Sequence, residues 1–197
     1  MRLAYCCGAK RRRFVSSDVD ALAQPIDVRE TLAAIALGAN LGDRLGTLRA
    51  AVGQLCARTD VAVIAQSSVY DTEPLGSADQ PRYLNAAVLL RTSLEPLALL
   101  RVLLEIERAL GRTRGEDRWM SRSIDLDLIL MSDCVLNAED LVLPHPRFRE
   151  RAFVLLPLFE IAPSMHDPIT GKSVESLLRA CPGRSDAVRT GPLAVET

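Results

Sequence analysis

Two aspartates set two residues apart, Asp125 and Asp127, stand in a stretch that otherwise alternates like a β-strand, SRSIDLDLILM over residues 121–131. Side chains at i and i+2 of a strand point the same way, so at roughly 3.3 Å of rise per residue the carboxylates sit about 6 to 7 Å apart. Ile124, Leu126, Leu128 and Leu130 take the opposite face and belong in a core. That fixes the register and turns the aspartates toward water, a cation or a ligand. A solvated strand face satisfies the same pattern, so the neighbouring residues have to decide.

Immediately upstream, Arg112, Arg114, Arg118 and Arg122 fall within the polar run GRTRGEDRWMSR. Guanidinium forks clamp phosphate oxygens in pairs. Two carboxylates on one face are a natural mount for Mg²⁺, which takes few protein ligands and fills its shell with water and phosphate oxygens. Together they describe a metal-nucleotide site with an arginine segment closing over anions. The pattern alone leaves the acceptor open, since a nucleotidyltransferase would use the same pair. A non-catalytic ligand sensor or nucleic-acid platform can also be built on an α+β sandwich. With 24 basic and 25 acidic residues, the chain has no overall electrostatic drive toward nucleic acid.

The elements that must position these residues read as one domain. At 197 residues and 48% hydrophobic content, one well-packed core is expected rather than two. TLAAIALG from Thr31 predicts a buried strand ending at Gly38, and NLGDRLGTLRAAVGQLCAR a helix with Leu45, Leu48, Val52 and Leu55 inward. Strands follow over 61–72 and 83–93, separated by the turn-rich EPLGSADQP. A helix from Pro96 to Leu110 is expected to bury Leu97, Leu100 and Leu104 and to stop at Gly111. After the Asp strand come a turn, a short strand, an LPHP corner and two short helices, FVLLPLFEIAP and SVESLLRA. The order β-α-β-β-α-β predicts an α+β sandwich of ferredoxin-like type, a mainly antiparallel sheet with helices packed on one face.

Residues 1–30 lack periodicity and carry KRRR among scattered acids; they read as a mobile extension, with 31–182 as the catalytic domain and 183–197 as a C-terminal tail. Five cysteines, an odd number without CxxC spacing and with no signal-peptide pattern before them, predict reduced thiols and a cytoplasmic protein. No apolar run approaches the ~20 residues of a membrane span. TGKS at 170–173 imitates a phosphate-binding loop, but the motif needs glycine where His166 stands. GANLGDRLG fits a strand-to-helix turn better than a dinucleotide fingerprint, whose third spaced glycine it lacks.

The segments GANLGDR, SSVYDTEPLG, DQPRYLNAAV, GRTRGEDRWMSRSIDLDLIL and LVLPHPRFRERAFVLLPLFEIAP, in this order and spacing, resemble the 6-hydroxymethyl-7,8-dihydropterin pyrophosphokinase family of folate biosynthesis. The resemblance runs from about Ala33 to Pro163 and extends on to Ala180, and it implies transfer of pyrophosphate from ATP to the pterin hydroxymethyl group, with AMP released. It further implies two Mg²⁺ ions held by Asp125 and Asp127, and phosphate contacts from Arg112 and Arg122. Arg114 and Trp119 match the family's closing loop, and His145 and Arg151 its nucleotide site. For the pterin it implies stacking between Tyr83 and Phe153, a hydrogen bond from Asn85, and a pocket loop of Thr72, Pro74, Leu75 and Gly76. Neighbouring folate-pathway enzymes are the partners it suggests, with neither nucleic acid nor membrane among them. Ala39, Leu104 and Pro146 depart from residues common in relatives: a serine, a polar nucleotide contact and an aromatic, respectively.

Overall fold

The computed structural model of the chain describes residues 30–74, 80–111, 123–181 and 187–193. β1 (Thr31–Ala39) leads through Gly42, whose left-handed φ of 61° favours glycine, into α1 (Arg44–Cys56). Asp43 caps this helix by accepting the Gly46 N–H at 2.9 Å. β2 (Val61–Gln66) and β3 (Ser68–Thr72) divide the strand expected over 61–72. The division falls at Ser67, whose hydroxyl accepts the Ala87 N–H at 2.8 Å and donates to the Ser68 carbonyl at 2.7 Å. This side-chain bonding interrupts the regular ladder. β4 (Tyr83–Thr92), α2 (Pro96–Ala109) and β5 (Asp125–Met131) follow. A small hairpin, β6 (Leu136–Asn137) with β7 (Val142–Leu143), then precedes a 3-10 turn at Phe148–Glu150, α3 (Ala152–Ile161), α4 (Val174–Ala180) and β8 (Val188–Pro192).

The strands run β5-β1-β4-β3-β8, with β2 also on β4, and every pairing in this sheet is antiparallel. The α+β, mainly antiparallel expectation therefore holds. The helices, however, cover both faces. Ile35, Leu37, Val88 and Leu90 pack against α1 and α2, whereas Ala34, Ala87 and Leu89 on the reverse face meet α3 and α4. Short apolar helices show no one-sided stripe, so sequence could not assign their face.

Two packing expectations change. In α2 the buried stripe is Leu99, Val102, Leu103 and Ile106, while Leu97 is exposed and Leu100 and Leu104 only partly covered. A leucine-rich helix offers two overlapping stripes, and contact with the sheet selects the one carrying Val102 and Ile106. In β5, Ala34 opposes Leu130 and the next residue, Ile35, opposes Leu128, leaving Ile129 as a bulge. Beyond it the alternation reverses, so Leu130 joins Ile129 on the α3 face rather than Leu128 on the other. TGKS forms the turn into α4, where Ser173 caps the helix by accepting the Ser176 N–H at 3.2 Å.

Candidate active site

On the α3 side of the sheet, one row of paired residues runs across four strands: Asp125, Gly38, Asn85 and Tyr70. One step along, Ala36 lies between Asp127 and Ala87. Gly38 and Ala36 remain partly exposed although β1 is flanked by strands on both sides, so a cleft opens above them. A Cβ at position 38 would come within 3.3 Å of Asn85 Oδ1. Small residues thus form a floor, with carboxylates at one end and the Asn85 amide at the other.

At the carboxylate end, the Leu126 N–H between the two aspartates donates to Glu107 Oε1 at 2.7 Å. β5 is a sheet edge, so this N–H needs a partner outside the ladder, and α2 delivers a buried acid to provide it. Sequence reasoning missed Glu107. The available signal was a charged residue lying four positions after Leu103 on what proves to be the buried stripe.

The LPHP corner brings cations to the same end. The His145 N–H donates to the Ile129 carbonyl at 2.9 Å, so the bulge residue anchors the corner. Arg147 N–H lies 3.4 Å from His145 Nδ1, which leaves Nε2 as the protonated nitrogen of a neutral ring. Burial, then the charges of Arg151 and Arg147, push His145 down to about 4, only partly opposed by Asp125. Burial and Arg147 also lower the Arg151 guanidinium, while Asp127 and Asp125 stabilise its charge. Arg151 therefore shares one electrostatic field with both carboxylates, and it lies over the Phe153 ring at 5.6 Å.

A buried brace holds this corner in place. Arg149 donates to both oxygens of Asp167, at 2.7 and 2.8 Å, and the Ile169 N–H adds a third bond at 3.1 Å. Burial alone would raise the carboxyl, but these bonds and that of the Thr170 hydroxyl hold Asp167 at about 2.

At the other end, Asn85 Nδ2 donates to Thr72 Oγ1 at 2.7 Å, and both residues are buried. Tyr83 pairs with Thr72 across the strands and donates its hydroxyl to Gln80 at 3.2 Å. Pro74 follows Glu73 at the start of the connecting loop, and Phe153 in the first turn of α3 packs beside the second core. The structure thus gathers Asp125, Asp127, His145 and Arg151 at one end of the cleft and Thr72, Tyr83 and Asn85 at the other. Leu75, Gly76, Arg112, Arg114, Trp119 and Arg122 lie outside the described residues.

A family profile described as 7,8-dihydro-6-hydroxymethylpterin-pyrophosphokinase matches residues 34–163, the span that contains every element of this cleft. The chain belongs to that pyrophosphokinase family. It is 45% identical over 144 residues to the 2-amino-4-hydroxy-6-hydroxymethyldihydropteridine pyrophosphokinase of Bacillus subtilis, covering 73% of this chain and 86% of the relative. With the enzyme of the same name from Methylorubrum extorquens it shares 47% over 148 residues, 75% of this chain and 92% of the other. Among solved structures, a Plasmodium falciparum HPPK-DHPS triple mutant superposes with a TM-score of 0.63 at 14% identity, covering 82% of this chain. The chain spans under half of that structure, 47%, and the likeness speaks to the pyrophosphokinase fold alone.

Proposed function

We propose that this chain transfers pyrophosphate from ATP to the hydroxymethyl group of 6-hydroxymethyl-7,8-dihydropterin, giving the pterin diphosphate and AMP in folate biosynthesis. The observation that carries the reading is the polarity of the cleft: carboxylates and Arg151 at one end, the Asn85–Thr72 pair at the other, and a floor of Gly38 and Ala36 between. A flat bicycle with an amide-like edge suits the second end, and a triphosphate the first. In the reaction the pterin oxygen attacks the β-phosphorus, the bond from that phosphorus to the α–β bridging oxygen breaks, and AMP departs with that oxygen. The hydroxyl proton is lost.

Asp125 and Asp127 fit a hard divalent cation: both are oxygen donors on one strand face, at the end of the cleft that would take the triphosphate. They would hold Mg²⁺, two ions by family analogy, which when bound neutralises phosphate charge and lowers the proton affinity of the attacking hydroxyl. Arg151 binds the nucleotide phosphates, and neutral His145 donates from Nε2 to one of their oxygens. A carboxylate oxygen of Asp127 is the candidate proton acceptor. Asn85 reads the pterin edge, its amide already oriented by Thr72, while Tyr83 and Phe153 stack on the ring with Pro74, Leu75 and Gly76 beside it. Arg112 and Arg122 bind the transferring phosphates, and Arg114 and Trp119 complete the ATP site and exclude water. A cytoplasmic setting accords with this substrate pair, and among the described residues no helix is long and apolar enough to cross a membrane. Neighbouring folate enzymes are the proposed partners.

Asp127→Ala is expected to lower turnover by about a thousandfold or more with an unchanged melting temperature, and EDTA to abolish wild-type turnover until Mg²⁺ is restored. Full activity in Asp127→Ala would remove the metal assignment.

A further inference from the structure

Behind the proposed pterin wall, on the reverse face of β3, four charged residues join three elements. β3 and β4 are linked by residues 73–82, and their ladder closes with the pair Thr72 and Tyr83. Arg82, the residue before Tyr83, donates Nε to Asp71, the residue before Thr72. Its Nη1 reaches Glu73, the residue after Thr72, at 3.2 Å. Arg82 therefore holds the chain on both sides of Thr72, where β3 turns into the connecting loop. From the start of α1, Arg44 donates Nη1 to the Arg82 carbonyl at 2.7 Å and lies 3.6 Å from Asp71. Asp71 alternates with Thr72, so the cluster lies on the opposite side of the strand from the Thr72–Asn85 hydrogen bond and outside the cleft.

We propose that Arg82 and Asp71, steadied by Arg44, are positioning residues for recognition of the pterin: they lock the terminal pair of the β3–β4 ladder, and through it set where Thr72, Tyr83 and Asn85 stand. The inference rests on the function proposed above, in which those three residues line the pterin end. A lone exposed ion pair would do little, but here two guanidinium groups, two carboxylates and a backbone carbonyl share one cluster. Asp71 is mostly shielded, its side chain 21% exposed against 42% for Arg82. None of the described residues of the nucleotide end, on β5 and the LPHP corner, belongs to this cluster, so this staple of ion pairs is expected to act on the pterin end alone.

The test is steady-state kinetics of the full chain with pterin and ATP varied separately, for Arg82→Ala, Asp71→Asn, the double variant and Arg82→Lys. KM for the pterin is expected to rise about three- to fivefold in each single variant, with KM for ATP changed by less than about twofold. The double variant should be no worse than the worse single, because both remove the same contact. Arg82→Lys should recover part of the loss. An unchanged pterin KM in both single variants overturns the staple while leaving the functional reading intact. So does a parallel rise in both KM values with a lower melting temperature, which marks a general structural role. If the wild-type chain shows no pterin-dependent AMP release, the functional reading itself fails and the staple's role falls with it.

Discussion

At neutral pH the imidazole of His145 is uncharged, because burial and the flanking charges of Arg151 and Arg147 hold it at about 4. Between that value and the ordinary 6.5, the unfolded chain binds a proton that the native state does not, so stability from this group is lost as pH falls from about 6.5 toward 4. NMR titration should therefore find the His145 midpoint well below 6, and His145→Gln should flatten the stability loss in that window by about 1 to 2 kcal/mol, allowing for partial exposure. A midpoint near 6.5 would contradict the neutral-donor role. At this scale the aspartate pair was legible in the sequence, because i and i+2 on a strand can only share a face. Gly38 was legible only as the end of a strand. Its opposition to both Asp125 and Asn85 depends on a register between strands far apart in the chain.

Between β5 and α3, the corner that carries His145 and Arg151 is fixed at two points, the bulge carbonyl of Ile129 and the Arg149–Asp167 brace. Asp167→Ala leaves a guanidinium without its buried partner and should destabilise the fold by about 2 to 3 kcal/mol, less than a fully buried pair because Arg149 keeps some access to water. Since Asp167 titrates at about 2 rather than 3.8, its contribution is whole above about 3.8 and is lost as pH falls toward 2. Acid denaturation monitored by circular dichroism should show that loss in the wild type and not in the variant. Glu107→Ala should cost about 2 kcal/mol in denaturant melts by stranding the Leu126 N–H, and should reduce turnover by letting the aspartate strand shift. Unchanged stability would show that the edge N–H finds another partner. From β1 to β5, and for α3 and α4, element types and order were readable from periodicity and punctuation. The bulge, the break at Ser67 and the face taken by α3 and α4 were not, because each is decided by a partner strand or layer absent from the local pattern.

Among the described residues, two hydrophobic layers flank one six-stranded sheet, and the cleft lies on its α3 side over Ala36 and Gly38 of β1. The part of the chain expected to be a C-terminal tail contributes β8, which pairs with β3. Arg189 from β8 meets Glu160 of α3 at 3.0 Å, and Arg49 of α1 donates to the Leu193 carbonyl at 2.9 Å. Its composition is polar and short, so pairing to an edge strand left no apolar signature to read. A chain ending at residue 187 should melt several degrees lower, whereas one lacking residues 1–29, outside the family match, should keep its kcat and both KM values; a loss of activity in the latter would give the extension a catalytic part. The central claim concerns which bond of ATP is broken. Mass spectrometry of the products from Mg²⁺, ATP and 6-hydroxymethyl-7,8-dihydropterin, with a control lacking pterin, reads it directly. Pterin diphosphate and AMP in equal amounts, both absent from the control, are the predicted result. A pterin–AMP adduct with free pyrophosphate, or no pterin product from folded protein, would contradict it.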